Sequence, residues 1–263
     1  MANKYLARED APFGPETWEV LDSAMVEAAK SVLTGRRLLH IEGPYGLGLK
    51  VVPLQDAEVE SGLIASRVIP VSLIQMAFTL GKRDLAAYER DGVSLDTTEV
   101  AKTAIKCARL EDTLVFKGAP GIPGLLTVEG SNALELSPWD EVGTAAEDVI
   151  RAVTTLDGAG FHGPYCLALT PSRYNLLFRR YPRGNVSELE HIRMIVTEGV
   201  FKAPVLGSGG VLLASGRQFA AIVLGQDMAI GFIGPVEEKL EFSISESLAL
   251  LVRQPPAICV LKE

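Results

Sequence analysis

Residues Asp96–Gly118 read DTTEVAKTAIKCARLEDTLVFKG, and the reading of this stretch decides how the rest of the chain is arranged. Asp96 is an N-cap residue with Glu99 three positions on, the spacing at which two side chains satisfy each other's orphan backbone donors. Val100, Ala101, Ala104, Ile105 and Ala108 then recur every three or four residues. One stripe of the helix is therefore apolar, while Lys102, Lys106 and Arg109 fall on other faces. Gly118 closes it, because glycine takes the left-handed conformation of a helix end without strain. The spacing predicts a long amphipathic helix packed on a sheet. The adjacent carboxylates Glu111 and Asp112 point about 100° apart on such a helix and cannot share one substrate proton locally. Capping or an ion pair at the helix end is their expected role.

Around this helix lie 263 residues, 48% hydrophobic and 22% charged, with a net charge of −8. That supports a sizeable core in one large domain or two small ones. An acidic chain without a Lys/Arg cluster does not suit nucleic acid. The N-terminus MANKYLARED lacks the apolar run of a signal peptide, and no apolar run reaches the roughly 18 residues of a membrane span. A cytoplasmic location and no membrane partner are expected. Cys107, Cys166 and Cys259 are odd in number and widely spaced, which fits buried, reduced thiols and neither a disulfide framework nor a zinc motif. His40, His162 and His191 show no ligand spacing, and there is no G-x-S-x-G elbow. No catalytic residue and no metal site are assigned.

In chain order, a short polar arm leads to Pro15 and a helix over residues 16–34, with Trp18, Leu21, Met25, Ala28 and Val32 on one face and Gly35 at its end. The small residues Ala24, Ala28 and Ala29 allow either close packing against another backbone or a shallow groove. Gly35–Gly48 (GRRLLHIEGPYGLG) is glycine-rich, but its glycines are in the wrong order for a nucleotide loop, so a turn-rich crossover is expected. Lys50–Glu60 and Arg67–Leu80 read as two strands joined by a tip at Ser61–Ser66. A two-stranded ribbon is unstable alone and calls for a partner from its own chain or another. After the long helix come a loop (Gly118–Gly124), a polar connection (Thr127–Pro138) and a helix (Glu141–Ala159). A buried strand (Pro164–Thr170) and helices at Pro171–Tyr181 and Ser187–Gly199 follow. Strands are expected at Gly210–Ser215, Phe219–Gly225, Ala229–Ile233, Leu240–Glu246, Leu248–Gln254 and Ile258–Leu261. The fold class is α+β.

Several stretches together resemble the type 1 encapsulin shell proteins, also called linocin- or maritimacin-type proteins. They are Gly35-Arg36-Arg37 with Glu42-Gly43-Pro44-Tyr45-Gly46, Ala77-Phe78-Thr79-Leu80, and Leu110-Glu111-Asp112 with Phe116 and Gly118. Gly163-Pro164-Tyr165, Gly225-Gln226-Asp227 with Ile230-Gly231, and Pro256-Ala257-Ile258-Cys259-Val260-Leu261 complete the set. They keep their order and spacing from residue 12 to residue 261. The resemblance implies the Hong Kong 97-type phage capsid fold, divided as an N-terminal arm and helix (1–43), an extended loop that clasps a neighbour (44–80), a peripheral domain with the spine helix (81–132), an axial domain (133–224) and returning peripheral strands (225–263). It implies a non-enzymatic protomer of a hollow icosahedral homo-oligomer. A cargo enzyme, often a ferritin-like iron-storage protein or a dye-decolourising peroxidase, docks there by a C-terminal peptide.

The positions that match the family's cargo groove are Ala29, Leu33, Arg36, Leu38, His40, Asp227, Met228, Ile230 and Phe232. An apolar trough with an adaptable methionine, edged by charge, suits an extended peptide. His40 stands where some relatives carry Asp. Within the axial domain, Arg179, Arg180, Tyr181, Arg183 and Asn185 are the candidates for a pore rim. Some members stack a flavin on a tryptophan; here Lys82 and Arg83 fall at that place, offer no aromatic face, and no cofactor is expected. The alternatives are a prophage capsid protein that packages DNA, which shares the fold, and a bacteriocin or protease, which the chemistry does not support.

Overall fold

The computed structural model describes residues 4–182 and 184–263, so the pore candidate Arg183 lies outside the described residues. The chain forms two compact units.

The first unit comprises Met1–Leu33, Gly43–Glu111 and Leu224–Ala249. Helix α1 (Pro15–Lys30) opens on Pro15, whose fixed φ suits a first turn, and buries Thr17, Trp18, Leu21, Met25 and Ala29. It ends four residues earlier than its periodicity suggested, with the Ser31 amide bonded back to Glu27 at 3.2 Å. Strand β6 (Ser72–Gly81) pairs antiparallel with β14 (Lys239–Val252), placing Phe78 opposite Phe242. The two rings stack at 5.2 Å, and Trp18 and Phe232 approach Phe242 edge-on at 6.0 and 5.7 Å. Each such pair contributes about 1 kcal/mol beyond its buried area.

The ribbon between residues 50 and 70 departs from its expected form. In place of two continuous strands it has two short antiparallel pairs, β2 (Val51–Pro53) with β5 (Val68–Pro70) and β3 (Ala57–Glu60) with β4 (Leu63–Ala65). Pro53 and Pro70 lack the N–H that a continuous ladder needs. Gly62 turns the tip at φ +82°. Helix α3 (Lys82–Asp91) is an element that the sequence pattern does not announce, since it buries only Leu85. Helix α4 (Thr98–Phe116) is the long helix, slightly shorter than read. Asp96 caps it by accepting the Thr98 amide at 2.9 Å, while Glu99 turns to Lys102 at 2.8 Å.

Strand β13 (Ala220–Val236) runs unbroken through the gap expected at Gln226–Met228, as β14 does through Ser247. Gly225 had the look of a strand end, but its lack of a Cβ serves close approach: a Cβ there would lie 2.5 Å from Ser247 Oγ.

The second unit comprises Thr34–Glu42, Asp112–Val223 and Leu250–Glu263. Gly35 does not end the first helix; it opens a second, α2 (Gly35–Leu38), followed by β1 (His40–Glu42), which pairs parallel with β13 from Ala221 to Val223. The supposed crossover therefore contains regular structure. The Gly118–Gly124 loop is a small hairpin, β7 (Gly118–Ala119) with β8 (Ile122–Pro123). The polar connection after it holds β9 (Asn132–Glu135).

Helix α5 (Thr144–Gly158), strand β10 (Tyr165–Leu169), and helices α6 (Pro171–Leu176) and α7 (Glu188–Ile195) sit where sequence placed them. Both α6 and α7 are shorter than read, and the end of the latter's expected range belongs to strand β11 (Gly199–Lys202). With β12 (Gly210–Ala214) and β15 (Ile258–Lys262) they complete a five-stranded sheet ordered β11-β10-β12-β15-β9. Every side chain of β10 and β12 is buried, as expected for an interior strand with both faces covered. Leu156, Leu167, Leu169, Leu177, Ile192 and Leu212 are fully buried there.

Candidate functional site

In the first unit, three of the nine peptide-groove positions meet: Ala29 and Leu33 pack with Ala108 of α4, and Val32 and Met228 lie against them. The side chains at 29 and 108 are small, and Met228 is a flexible thioether beside them. Asp227 is exposed and accepts the Met228 amide at 2.9 Å. Ile230 is completely buried, and Phe232 is engaged with Phe242 in the aromatic cluster.

What covers the strand at this point is the N-terminal arm, whose sequence reads only as a polar lead-in. Arg8 donates from Nε to the Ile230 carbonyl at 2.9 Å, pairs with the Asp22 carboxylate through Nη2, and lies 4.3 Å over the Trp18 ring. Leu6 passes so close to Gly231 that a Cβ there would sit 3.1 Å from the Leu6 carbonyl oxygen. The signal in the sequence is a leucine and an arginine two positions apart, Leu6 and Arg8.

The remaining groove positions belong to the second unit. Leu38 is buried and its carbonyl accepts the Cys166 thiol at 3.5 Å; Arg36 is half-buried and His40 exposed. His40 lines a cavity of about 380 Å³ together with Arg37, Glu198 and Arg217. Burial pushes the thiols of Cys166 and Cys107 up to about 12 and that of Cys259 to about 11. All three are free and buried, so none is a nucleophile near neutral pH.

The pore-candidate loop is also in the second unit. Arg179 is turned inward: Nη1 donates to the Trp139 carbonyl at 2.8 Å, Nε to Leu176 at 3.0 Å, and Nη2 reaches Glu188 at 3.5 Å. Glu188 in turn accepts the amides of Gly143, Ala145 and Ala146 at 2.9–3.2 Å and so caps α5. Arg180 is exposed and donates to Asn185 at 2.6 Å. Tyr181 shares a 2.8 Å hydrogen bond with His191 Nδ1. Among the described residues no group of three or more His, Cys, Asp or Glu side chains is placed to hold a metal, and no helix is long and apolar enough to cross a membrane.

A family model described as "Encapsulating protein for peroxidase" matches residues 3–249. The chain is 30% identical to a type 1 encapsulin shell protein of Myxococcus xanthus, over 98% of this chain and 96% of that protein. It is also similar to two fusion proteins. One is a diheme-cytochrome-encapsulin shell fusion of Kuenenia stuttgartiensis, at 30% identity over 94% of this chain and 73% of that protein. The other is a ferritin-like-encapsulin shell fusion of Pyrococcus furiosus, at 25% over 94% and 68%. Among solved structures, a virus-like particle from Pyrococcus furiosus superposes with a TM-score of 0.78 at 24% identity, covering 94% of this chain and all of the other. The capsid of Myoviridae phage XM1 superposes at 0.62 with 16% identity, covering 84% and 88%. The fold is thus the Hong Kong 97-type capsid fold, and the shell proteins so matched are structural and not catalytic. The match runs through both units and nearly the whole length, and the chain belongs to the type 1 encapsulin shell protein family.

Proposed function

We propose that this chain is the protomer of an encapsulin nanocompartment: copies close into a hollow icosahedral cage in the cytoplasm, and the cage encloses a cargo enzyme held by its C-terminal peptide. The observation that carries the assembly reading is the ribbon. Val59, Leu63 and Ile64 are 66%, 54% and 67% exposed on an isolated pair of short strands. Such a pair cannot hold itself together in water, and its apolar side chains need a neighbouring subunit. Closed symmetry lets each copy both give and receive that contact.

For the cargo, the contacts proposed are Ala29, Leu33, Asp227 and Met228 of the first unit. A ferritin-like protein or a peroxidase is the cargo class favoured by the relatives' names. Arg180, Tyr181 and Asn185 are proposed for the rim of a pore, where an exposed guanidinium would favour small anions.

The test is electron microscopy of the purified chain together with mass spectrometry of whatever co-purifies from its native cell. Uniform round particles that retain one enzyme with a shared C-terminal peptide are expected. A small monomer overturns the cage, and empty particles from cells that express the candidate enzyme overturn the cargo reading.

A further inference from the structure

We propose that the cavity of about 380 Å³ in the second unit binds a small phosphorylated polyol, a sugar phosphate by chemical class, with Arg37 and Arg217 on its phosphate and Glu198 on its hydroxyls. This site goes beyond the assembly and cargo readings and rests on neither.

Three segments build the cavity. The run from α2 into β1 brings Arg37 and His40, the residue before β11 brings Glu198, and the turn between β12 and β13 brings Ser215 and Arg217. Main-chain hydrogen bonds fix these segments: the Glu198 amide donates to the Tyr165 carbonyl at 2.9 Å, and the Ser215 amide to the Pro164 carbonyl at 2.7 Å. Arg253 holds the turn as well, since its Nη1 donates to the Arg217 carbonyl at 2.7 Å while its Nη2 pairs with Glu42 at 2.9 Å.

The charges on this frame are unspent. In the same unit Arg151, Arg173, Arg179 and Arg253 each have a carboxylate partner. Among the described residues, the side chains of Arg37, Arg217 and Glu198 make no hydrogen bond or ion pair. Ser215 Oγ is buried beside the Cys166 thiol and has no hydrogen-bond partner among the described residues, the thiol donating to the Leu38 and Leu213 carbonyls instead. A buried hydroxyl left unpaired is uncommon in a native protein, and a ligand oxygen at the base of the cavity gives it a partner.

The lining selects the ligand. Two guanidinium forks match the oxygens of a phosphate. Glu198 repels a bare anion but accepts hydrogen bonds from hydroxyls, so the pair of charges suits a molecule anionic at one end and rich in donors at the other. The volume is at the low end of small-molecule pockets and exceeds what inorganic phosphate needs. Leu38 and Leu39, both 6% exposed, give the carbon skeleton an apolar wall. No aromatic ring lines the cavity, so a nucleotide base has nothing to stack on.

The test is isothermal titration calorimetry of the purified full-length chain with ribose 5-phosphate and glucose 6-phosphate, and with inorganic phosphate and free ribose for comparison. At least one ester is expected to bind tenfold or more tightly than inorganic phosphate, and ribose is expected not to bind. Arg37→Ala and Arg217→Ala are each expected to weaken the ester at least tenfold. Glu198→Gln is expected to weaken it at least threefold without weakening inorganic phosphate. Arg193→Ala, at an exposed position on α7, is the control and is expected to change nothing.

No binding of either ester at millimolar concentration overturns the proposal, as does inorganic phosphate binding as tightly as the esters. An equal loss with Arg193→Ala reduces the effect to general charge attraction and overturns it too. Arg37, Glu198 and Arg217 are exposed, so their substitution leaves the core intact. Should a variant nonetheless fail to fold, the comparison of the four probes on the wild type decides by itself. Failure here leaves the cage and cargo readings standing, because those are read from particles and from the enzyme that co-purifies.

Discussion

Asp112 Oδ1 accepts the Gly35 amide at 2.8 Å, and Oδ2 of the same carboxylate accepts the amide of Thr34 at 2.9 Å. A residue that belongs by sequence to the long helix thus caps the start of a different one, seventy-seven positions away. The carboxylate is buried, so the amides it satisfies have no water to turn to if it is removed.

Asp112→Ala is expected to cost about 2–3 kcal/mol of stability, as the loss of a cap combined with buried donors left unpaired. Gly35→Ala attacks the same contact from the other side, because the new Cβ would lie 3.0 Å from Val115 Cγ1 and 3.2 Å from Asp112 Oδ1. Urea denaturation of each variant checks both. Full stability of Asp112→Ala would show that the cap contributes nothing.

Asp148 gives a pH dependence. Burial raises its carboxyl, but the Arg151 guanidinium, the Trp139 indole N–H and the amide and hydroxyl of Ser137 together outweigh burial and hold it below the usual carboxylate range. A depressed folded value means the contribution is complete above about pH 4, where the unfolded chain ionises. It is lost as pH falls through the lower folded value. Melting temperatures measured from pH 7 to pH 2 are expected to be lower for Asp148→Asn at neutral pH and to converge with wild type at the acid end. A constant gap would contradict the assignment.

The cysteines act at the opposite end of the scale. Their folded values of about 11 to 12 lie above that of an unfolded thiol. Their contribution is therefore fully present below about pH 8.5 and declines as pH rises toward the folded values. Native protein at pH 8 should leave all three unreactive to a thiol-disulfide reagent, and the unfolded chain should release all three. Rapid labelling of any one in the native state would be incompatible with the burial described.

Ile64→Glu tests the ribbon. The side chain is 67% exposed in the single chain, so the substitution leaves the fold of each unit unchanged and acts only where another copy would cover it. Light scattering is expected to show loss of particles with unaltered circular dichroism. Particles of normal size and yield would mean that the ribbon tip is not an assembly contact.

The cluster of Trp18, Phe78, Phe232 and Phe242 shows how evenly legible and hidden features mix. Trp18 was placed on the buried face of its helix by periodicity, and Phe78 was placed in a strand, yet nothing local linked either to Phe242 or to Phe232. The short strands β1 and β9 escaped notice because three or four residues among glycines and polar side chains carry no period. Gly225 misled because glycine marks both a turn and a close approach, and only the neighbouring Ser247 hydroxyl tells which.

Sequence by itself determined the helices whose period repeats long enough to be counted, namely α1, α4 and α5, and the strands β10 and β12 as unbroken apolar runs, along with the family to which their order belongs. Those patterns are local: each records which face of one element meets an apolar surface. The tertiary structure alone decided which carboxylate caps which helix, that Arg179 is turned inward while Arg180 is exposed, and that the arm's Arg8 sits on Ile230. These pairings join residues far apart in the chain, and they depend on distances that no residue's own neighbours encode.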